Sequence, residues 1–257
     1  MSPNTFTIPE NIRNSLHAAG LSLLSSTTPE AASWWCELKR PAGEIERCME
    51  WLAPDERARV DRLGTNLLRE RYIAGRAMLR LLLGHILGVE PADVPLQRGA
   101  RGRPEIGGPH SIDFNVSHTD DVALIGIART TPECLRIGVD VERADRNVNA
   151  DRLARKCLTS KEAKAQARLT PDERRKRFLR YWTCKEAMSK ATGDGLMAPF
   201  RRLDVELDDP PRLITGPPPY VAQDWRLQAV DVPDGYLATL ALWRPPNPSD
   251  ARSIIAR

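Results

Sequence analysis

The chain has 257 residues, of which 41% are hydrophobic, enough for one large domain or two modest ones. Its 38 Lys and Arg against 34 Asp and Glu leave a net charge of +4, too mild to argue for nucleic acid but compatible with an acidic or phosphorylated partner. Aromatic residues are few, at 5%, and no nucleic-acid recognition motif is present. The five cysteines (Cys36, Cys48, Cys134, Cys157, Cys184) are odd in number and form no CxxC pair. They read as reduced thiols of a cytoplasmic protein, not as a zinc site or a disulfide framework. No leader-like start is seen, and no apolar run approaches the roughly 20 residues that span a bilayer.

In chain order, residues 1–30 read as a poorly ordered N-terminal segment. The run SWWCEL at 33–38 reads as the first strand. Pro54 opens a short helix through Leu63, since proline suits the first helical turn. Residues 66–88 carry the longest helical pattern, with Leu67, Ile73, Ala77 and Leu81 on the apolar side, Arg69, Arg76 and Arg80 on the polar side, and Gly88 as the stop. LQRGARGRPEIGG then reads as a loop. SIDFNVSH alternates as a strand, and VALIGIA follows after a tight turn.

The run RIGVDVERADR is predicted to be a strand. Leu135, Ile137, Val139 and Val141 alternate, which puts Gly138, Asp140 and Glu142 together on the opposite face. Thr159 with Glu162, and Thr170 with Glu173 around Pro171, are capping boxes. The helix from Pro171 is predicted to run to about Ala191, ended by Gly193. On it Trp182, Glu186 and Lys190 are four residues apart and share one face. Three strands follow, in RLDVEL, WRLQAV and YLATLALW, with a proline-rich loop between the first two. The expected fold class is α+β: two similar halves, a pseudo-dimer, each an antiparallel sheet packed with a long helix. The expected boundaries are 31–130 for the N-terminal half, 131–245 for the C-terminal half and 246–257 for a flexible tail.

If the 171–191 helix lies over the polar face of the Asp140 strand, three carboxylates converge with an ammonium beside them. Carboxylates held together repel, and a hard divalent cation offsets that repulsion. Mg²⁺ is the natural choice because it takes phosphate oxygens as further ligands. Gly138, lacking a side chain on that face, would let a ligand approach closely. Each motif also has a plain structural reading. Asp-x-Glu on a strand is often a solvated face, Glu186 with Lys190 is an ordinary i,i+4 pair, and a lone His118 at a strand end is commonly structural.

The order of the pieces is more specific than any one of them. GRP, then FNVSH, then IGVDVE, then WTCKEAMSKATGDGL resembles the 4′-phosphopantetheinyl transferase superfamily, in its surfactin-synthetase-activating, two-halved type. The similarity covers roughly residues 33–243. The resemblance implies Mg-dependent transfer of the 4′-phosphopantetheine arm of coenzyme A to a serine of an acyl or peptidyl carrier protein, releasing adenosine 3′,5′-bisphosphate. It implies Asp140, Glu142 and Glu186 as metal ligands, and Glu186 and Lys190 as catalytic. Arg59, Arg98, Arg103, Ser117, His118, Asp140, Lys185 and Lys190 would contact coenzyme A. Arg103, Ser117 and His118 fall around its 3′-phosphate and ribose, and Lys185 and Lys190 near its pyrophosphate. Arg103 stands where many relatives carry lysine, which keeps the charge and adds a bidentate fork. The implied enzyme is a cytoplasmic monomer that meets the acidic surface of the carrier and neither nucleic acid nor membrane. The alternatives are an inactive relative that only binds coenzyme A or a carrier, and a different metal-dependent phosphotransferase or phosphodiesterase.

Overall fold

The computed structural model describes residues 8–25, 28–99, 101–130, 134–146 and 150–246, and these fall into two compact units. The first comprises residues 1–110 and 116–125. The second comprises 111–115 and everything from Gly126 onward. The expected boundary near residue 130 is therefore displaced: it cuts across a hairpin instead of following it. The flexible tail, apart from residue 246, lies outside the described residues.

The first unit begins with α1 (Glu10–Ala18), β1 (Leu21–Leu23) and β2 (Ala31–Glu37). The expected disorder of residues 1–30 fails for the described residues 8–25 and 28–30; residues 1–7, 26 and 27 lie outside the described set. Leu16 and Leu21 are almost fully buried, and β1 pairs antiparallel with β2 in the register Leu21↔Cys36. Short length and polar composition hid two apolar anchors that the sheet edge captures. Next come α2 (Ala42–Glu50), α3 (Pro54–Val60) and α4 (Asn66–Leu87). Gly88 closes α4 in the left-handed conformation at φ 70°, which costs a glycine little. Arg80 is not on a polar face. It is buried with Glu56, to which its Nε donates at 2.5 Å, and its guanidinium also reaches the carbonyls of Pro91, Ala92 and Val94. The stretch read as a pure loop holds a small hairpin, β3 (Leu96–Arg98) with β4 (Pro104–Ile106). β5 (Ile112–Thr119) and β6 (Val122–Arg129) complete a four-stranded sheet in the order β1-β2-β6-β5.

The second unit carries β7 (Arg136–Arg143), α5 (Ala150–Cys157), α6 (Ser160–Ala165), α7 (Pro171–Thr192), β8 (Asp204–Glu206), β9 (Arg212–Thr215), β10 (Trp225–Ala229) and β11 (Tyr236–Trp243). Its main sheet has the order β10-β11-β7, all antiparallel, with Asp140 opposite Thr239 and Gly138 opposite Ala241. Both predicted capping boxes are present, at Thr159 with Glu162 and at Thr170 with Glu173, and Gly193 ends α7 at φ 81°. β9 lies inside the proline-rich stretch, where the short apolar Leu213–Ile214 pair was too brief to read as a strand. The core gathers Phe178, Leu179, Met188, Leu203, Tyr220, Trp225 and Leu227. Tyr220, Trp225 and Trp243 stack in series at 5.4 and 5.7 Å. The fold is α+β, and each unit pairs an antiparallel sheet with a helix of 22 residues.

Candidate active site

β7 is an edge strand of its sheet, so the N–H groups on its free side need partners. Two β5 side chains supply them. Asp113 Oδ2 accepts from the Ile137 N–H at 2.8 Å, and Asn115 Oδ1 accepts from the Val139 N–H at 3.0 Å. Both are buried. These residues escaped the sequence reading. The signal was present in the buried-strand alternation of β5, where polar Asp113 and Asn115 occupy the face opposite Ile112, Phe114 and Val116.

α7 packs across β7 on the face that carries Gly138, Asp140 and Glu142. The contact is close because Gly138 has no side chain: a Cβ there would lie 1.9 Å from the Ala187 carbonyl oxygen and 2.7 Å from the Ala191 nitrogen. The gap read as room for a ligand is filled by helix backbone.

That approach brings the predicted helix face onto the predicted strand face. Lys190 Nζ donates to Asp140 Oδ1 at 2.7 Å and to the Val139 carbonyl at 3.2 Å. Trp182 Nε1 donates to Glu142 Oε1 at 3.1 Å, with its indole ring between Phe178 and Phe200. Arg146, four residues on, also binds Glu142 Oε1. Sequence reasoning passed over Arg146, although its i,i+4 spacing from Glu142 is visible. Glu186 completes the group, and its Oε1 is buried with no hydrogen-bond partner.

The electrostatics follow from this crowding. Burial raises the Glu186 carboxyl to about 7. The negative charge of Asp140 adds to the rise, Lys190 opposes it, and Glu142 raises it further. Burial, then Asp140, also pushes Glu142 up, against Arg146, Trp182 and Lys190. The three carboxylates therefore share one field. They do not form a ready-made cage: among the described residues, no three His, Cys, Asp or Glu side chains stand as a metal-holding group. Lys190 and Arg146, 25% and 46% exposed, lie on Asp140 and Glu142 where a cation would compete for the same oxygens. The donor chemistry fits a hard divalent ion, with three carboxylates of which Glu186 holds a buried oxygen that accepts no bond.

Lys185 departs from expectation. It is fully buried, and its ammonium is taken by Glu162 Oε2 at 2.5 Å and by the carbonyls of Cys157 and Phe200 at 2.8 and 2.9 Å. Burial lowers its pKa, while Glu162 acts the other way. With all three donors spent inside, it ties α7 to α6 and to the segment before β8 instead of facing a pyrophosphate. The i,i+1 step from Glu186 turns it about 100° around the helix, which the motif alone conceals. Lys185→Met should cost about 3–5 kcal/mol in urea unfolding, because Glu162 is left buried and unpaired. The coenzyme A KM of the folded fraction should not change. Normal stability with a raised KM would restore the ligand role.

The remaining predicted residues lie in the first unit. Arg59 is exposed, its guanidinium 5.5 Å from the centre of the Tyr72 ring. Arg98 is exposed and donates to the Gly102 carbonyl at 3.3 Å. Arg103 is buried at the start of the β4 arm, its carbonyl accepting from the Gly99 N–H. Ser117 is buried and His118 exposed, adjacent on β5, so their side chains leave opposite faces.

A two-unit α+β chain with a carboxylate cluster between a sheet strand and a 22-residue helix defines a class. Residues 136–241 match the 4′-phosphopantetheinyl transferase superfamily, and residues 39–130 match the 4′-phosphopantetheinyl transferase N-terminal family. The chain belongs to the 4′-phosphopantetheinyl transferase superfamily and is an enzyme of that class. It is 33% identical over 234 residues to the 4′-phosphopantetheinyl transferase HetI of a Nostoc species, covering 88% of this chain and 93% of that one. It is 32% identical to a putative 4′-phosphopantetheinyl transferase of a Synechocystis species, over 65% of this chain and 67% of that one. The similarity extends to the human L-aminoadipate-semialdehyde dehydrogenase-phosphopantetheinyl transferase, at 28% over 62% of this chain and 55% of that one.

Proposed function

We propose that this enzyme moves the 4′-phosphopantetheine arm of coenzyme A onto a carrier-protein serine with the help of Mg²⁺, releasing adenosine 3′,5′-bisphosphate. The observation that carries the reading is the placement of Glu186: a carboxylate on α7, beside Asp140 and Lys190, whose Oε1 is buried and accepts no hydrogen bond. A carboxylate oxygen left open in such a cluster is suited to take a proton from a weak nucleophile.

In this reading the serine Oγ attacks the β-phosphorus of coenzyme A. The bond from that phosphorus to the bridging pyrophosphate oxygen breaks, and the bridging oxygen leaves with the adenosine 3′,5′-bisphosphate. Glu186 accepts the serine proton, directly or through water. Lys190, bound to Asp140, is the ammonium that would neutralise charge building on the pyrophosphate oxygens. Asp140, Glu142 and Glu186 would hold Mg²⁺, which supplies Lewis-acid stabilisation of that charge when bound. Trp182 holds the Glu142 carboxylate, and the Asp113 and Asn115 side chains hold the β7 backbone that carries Asp140 and Glu142. In the first unit, Arg103 and the exposed His118 are the side chains proposed for the 3′-phosphate and ribose, with Ser117, whose side chain leaves the other face of β5, proposed to contribute through its backbone, and Arg59 and Arg98 as further cationic contacts. The net charge of +4 is compatible with an acidic carrier, and free thiols at all five cysteines fit a cytoplasmic enzyme. No helix among the described residues is long and apolar enough to cross a membrane. A monomer suffices for the reaction, since the carboxylates and Lys190 come from one chain.

The test is incubation with coenzyme A, Mg²⁺ and a panel of apo-carriers, read by mass spectrometry. A carrier that gains one pantetheinyl arm supports the proposal; cleaved coenzyme A without an adduct points to a phosphodiesterase. Within that assay, Arg103→Ala should raise the KM for coenzyme A by about tenfold, the scale of one lost charge-assisted contact. It should leave dephospho-coenzyme A nearly unaffected. An equal penalty on both substrates would remove Arg103 from the 3′-phosphate.

A further inference from the structure

Just beyond the C-terminus of α7, the chain holds two large apolar side chains out in the solvent. Leu196 is 82% exposed and Met197 88%, whereas the next most exposed large apolar residue among those described, Leu67, is at 51%. Isolated exposed leucines need no explanation, but an adjacent pair kept out on an ordered loop does.

The loop is ordered by its own bonds. Gly193 and Gly195 adopt positive φ, 81° and 53°, which lets the chain reverse within three residues. Tyr220 is fully buried; its hydroxyl donates to Asp194 Oδ2 at 2.6 Å and lies 3.0 Å from Thr192 Oγ1. The Asp194 N–H donates back to Thr192 Oγ1 at 3.2 Å. The Met197 and Ala198 N–H groups close turns onto the Asp194 and Gly195 carbonyls at 3.0 and 3.1 Å. Ala191 before the pair and Ala198 after it are both buried. Leu196 and Met197 therefore sit on a pinned arch and do not fold back onto the core.

Position and charge say what the arch meets. Glu186 lies six residues before the end of α7, about 9 Å along the helix axis. A protein that delivers a serine to Glu186 brings its surface to the region of this helix end. On the other side of the pair, Arg201 and Arg202 are exposed and make no ion pair among the described residues.

We propose that Leu196 and Met197, flanked by Arg201 and Arg202, form the docking surface for an amphipathic helix of the protein that bears the acceptor serine. Apolar side chains of that helix cover Leu196 and Met197, and its carboxylates face the two arginines. This rests on the transferase reading above and adds the surface by which the acceptor is chosen. Apolar anchors at the centre with charged groups at the rim are the usual anatomy of such contacts.

The experiment measures initial rates against apo-carrier and against coenzyme A for the wild type, for Leu196→Ser with Met197→Ser, and for Arg201→Glu with Arg202→Glu. Thermal unfolding checks that the variants stay folded, which these exposed positions favour. Both variants should raise the carrier KM about tenfold or more, with kcat and the coenzyme A KM within about twofold of wild type. An unchanged carrier KM in both variants overturns the proposal. So does a rise confined to the coenzyme A KM, which would assign the arch to the nucleotide. A wild-type dimer that the serine variant dissociates would make the patch a self-interface and also overturn it. Failure of the wild type to modify any carrier defeats the transferase reading first, and the docking surface with it.

Discussion

Glu186→Gln should lower arm transfer by about 10³-fold or more, since it removes a proton acceptor and a charge needed for the ion in one step. The same change should make the chelator-treated protein more stable at pH 8. The sign follows from the raised carboxyl. The folded state holds the Glu186 proton up to about pH 7, while the unfolded chain releases it near 4.5. Between those values the native state binds more protons, so stability falls as pH rises through the window. Glutamine carries no charge into the crowded site and escapes that loss. Wild type and variant should therefore have similar Tm at pH 4.5 and diverge by pH 8, with the variant higher. Added Mg²⁺ should raise the wild-type Tm more at pH 8 than at pH 5.5, because protonated Glu186 is a poor ligand, and should raise the variant less. A variant that turns over near the wild-type rate would take Glu186 out of both roles. A variant less stable at pH 8 would show that the carboxylate is a structural partner.

Gly138→Ala should be the most damaging small substitution in the second unit. The added methyl would meet the Ala187 carbonyl at 1.9 Å and the Ala191 nitrogen at 2.7 Å, both helix backbone that cannot rotate away. The helix must lift from the strand, at the top of the usual overpacking range of about 1–3 kcal/mol or beyond. Lifting α7 also carries Trp182, Glu186 and Lys190 away from Glu142 and Asp140, so transfer should fall with stability. Gly43→Ala is the matched control. That glycine sits in α2 with nothing within 4 Å of its absent Cβ, and alanine there should be neutral or stabilising by up to about 1 kcal/mol. Urea unfolding of the two variants separates a specific backbone contact from a general intolerance of alanine. If Gly138→Ala keeps wild-type stability, β7 and α7 are not in backbone contact at this position.

Much of the site was legible because its residues obey local periods. Asp140 and Glu142 are two apart on a strand, and Trp182, Glu186 and Lys190 are four apart on a helix; each set shares a face whatever the rest of the chain does. The helix ends were legible for the same reason, since Thr159, Thr170, Gly88 and Gly193 act on neighbouring backbone. Lys185 was misread because a motif lists residues in line while a helix turns each by about 100°, sending Lys185 toward Glu162 while Glu186 faces Asp140. The hairpin at Arg98 and Arg103 and the ordering of Leu16 and Leu21 were missed because short elements owe their stability to partners far away in sequence.

Local spacing and chemistry thus set the α+β character, the long helices with their caps, and which carboxylates share a face. Only the tertiary structure decided that α7 crosses β7 at Gly138, that Asp113 and Asn115 close the open edge of β7, and that Lys185 is spent on Glu162. Those are contacts between distant segments, fixed by which backbones can approach and which buried polar groups must be satisfied. No period along the chain encodes them.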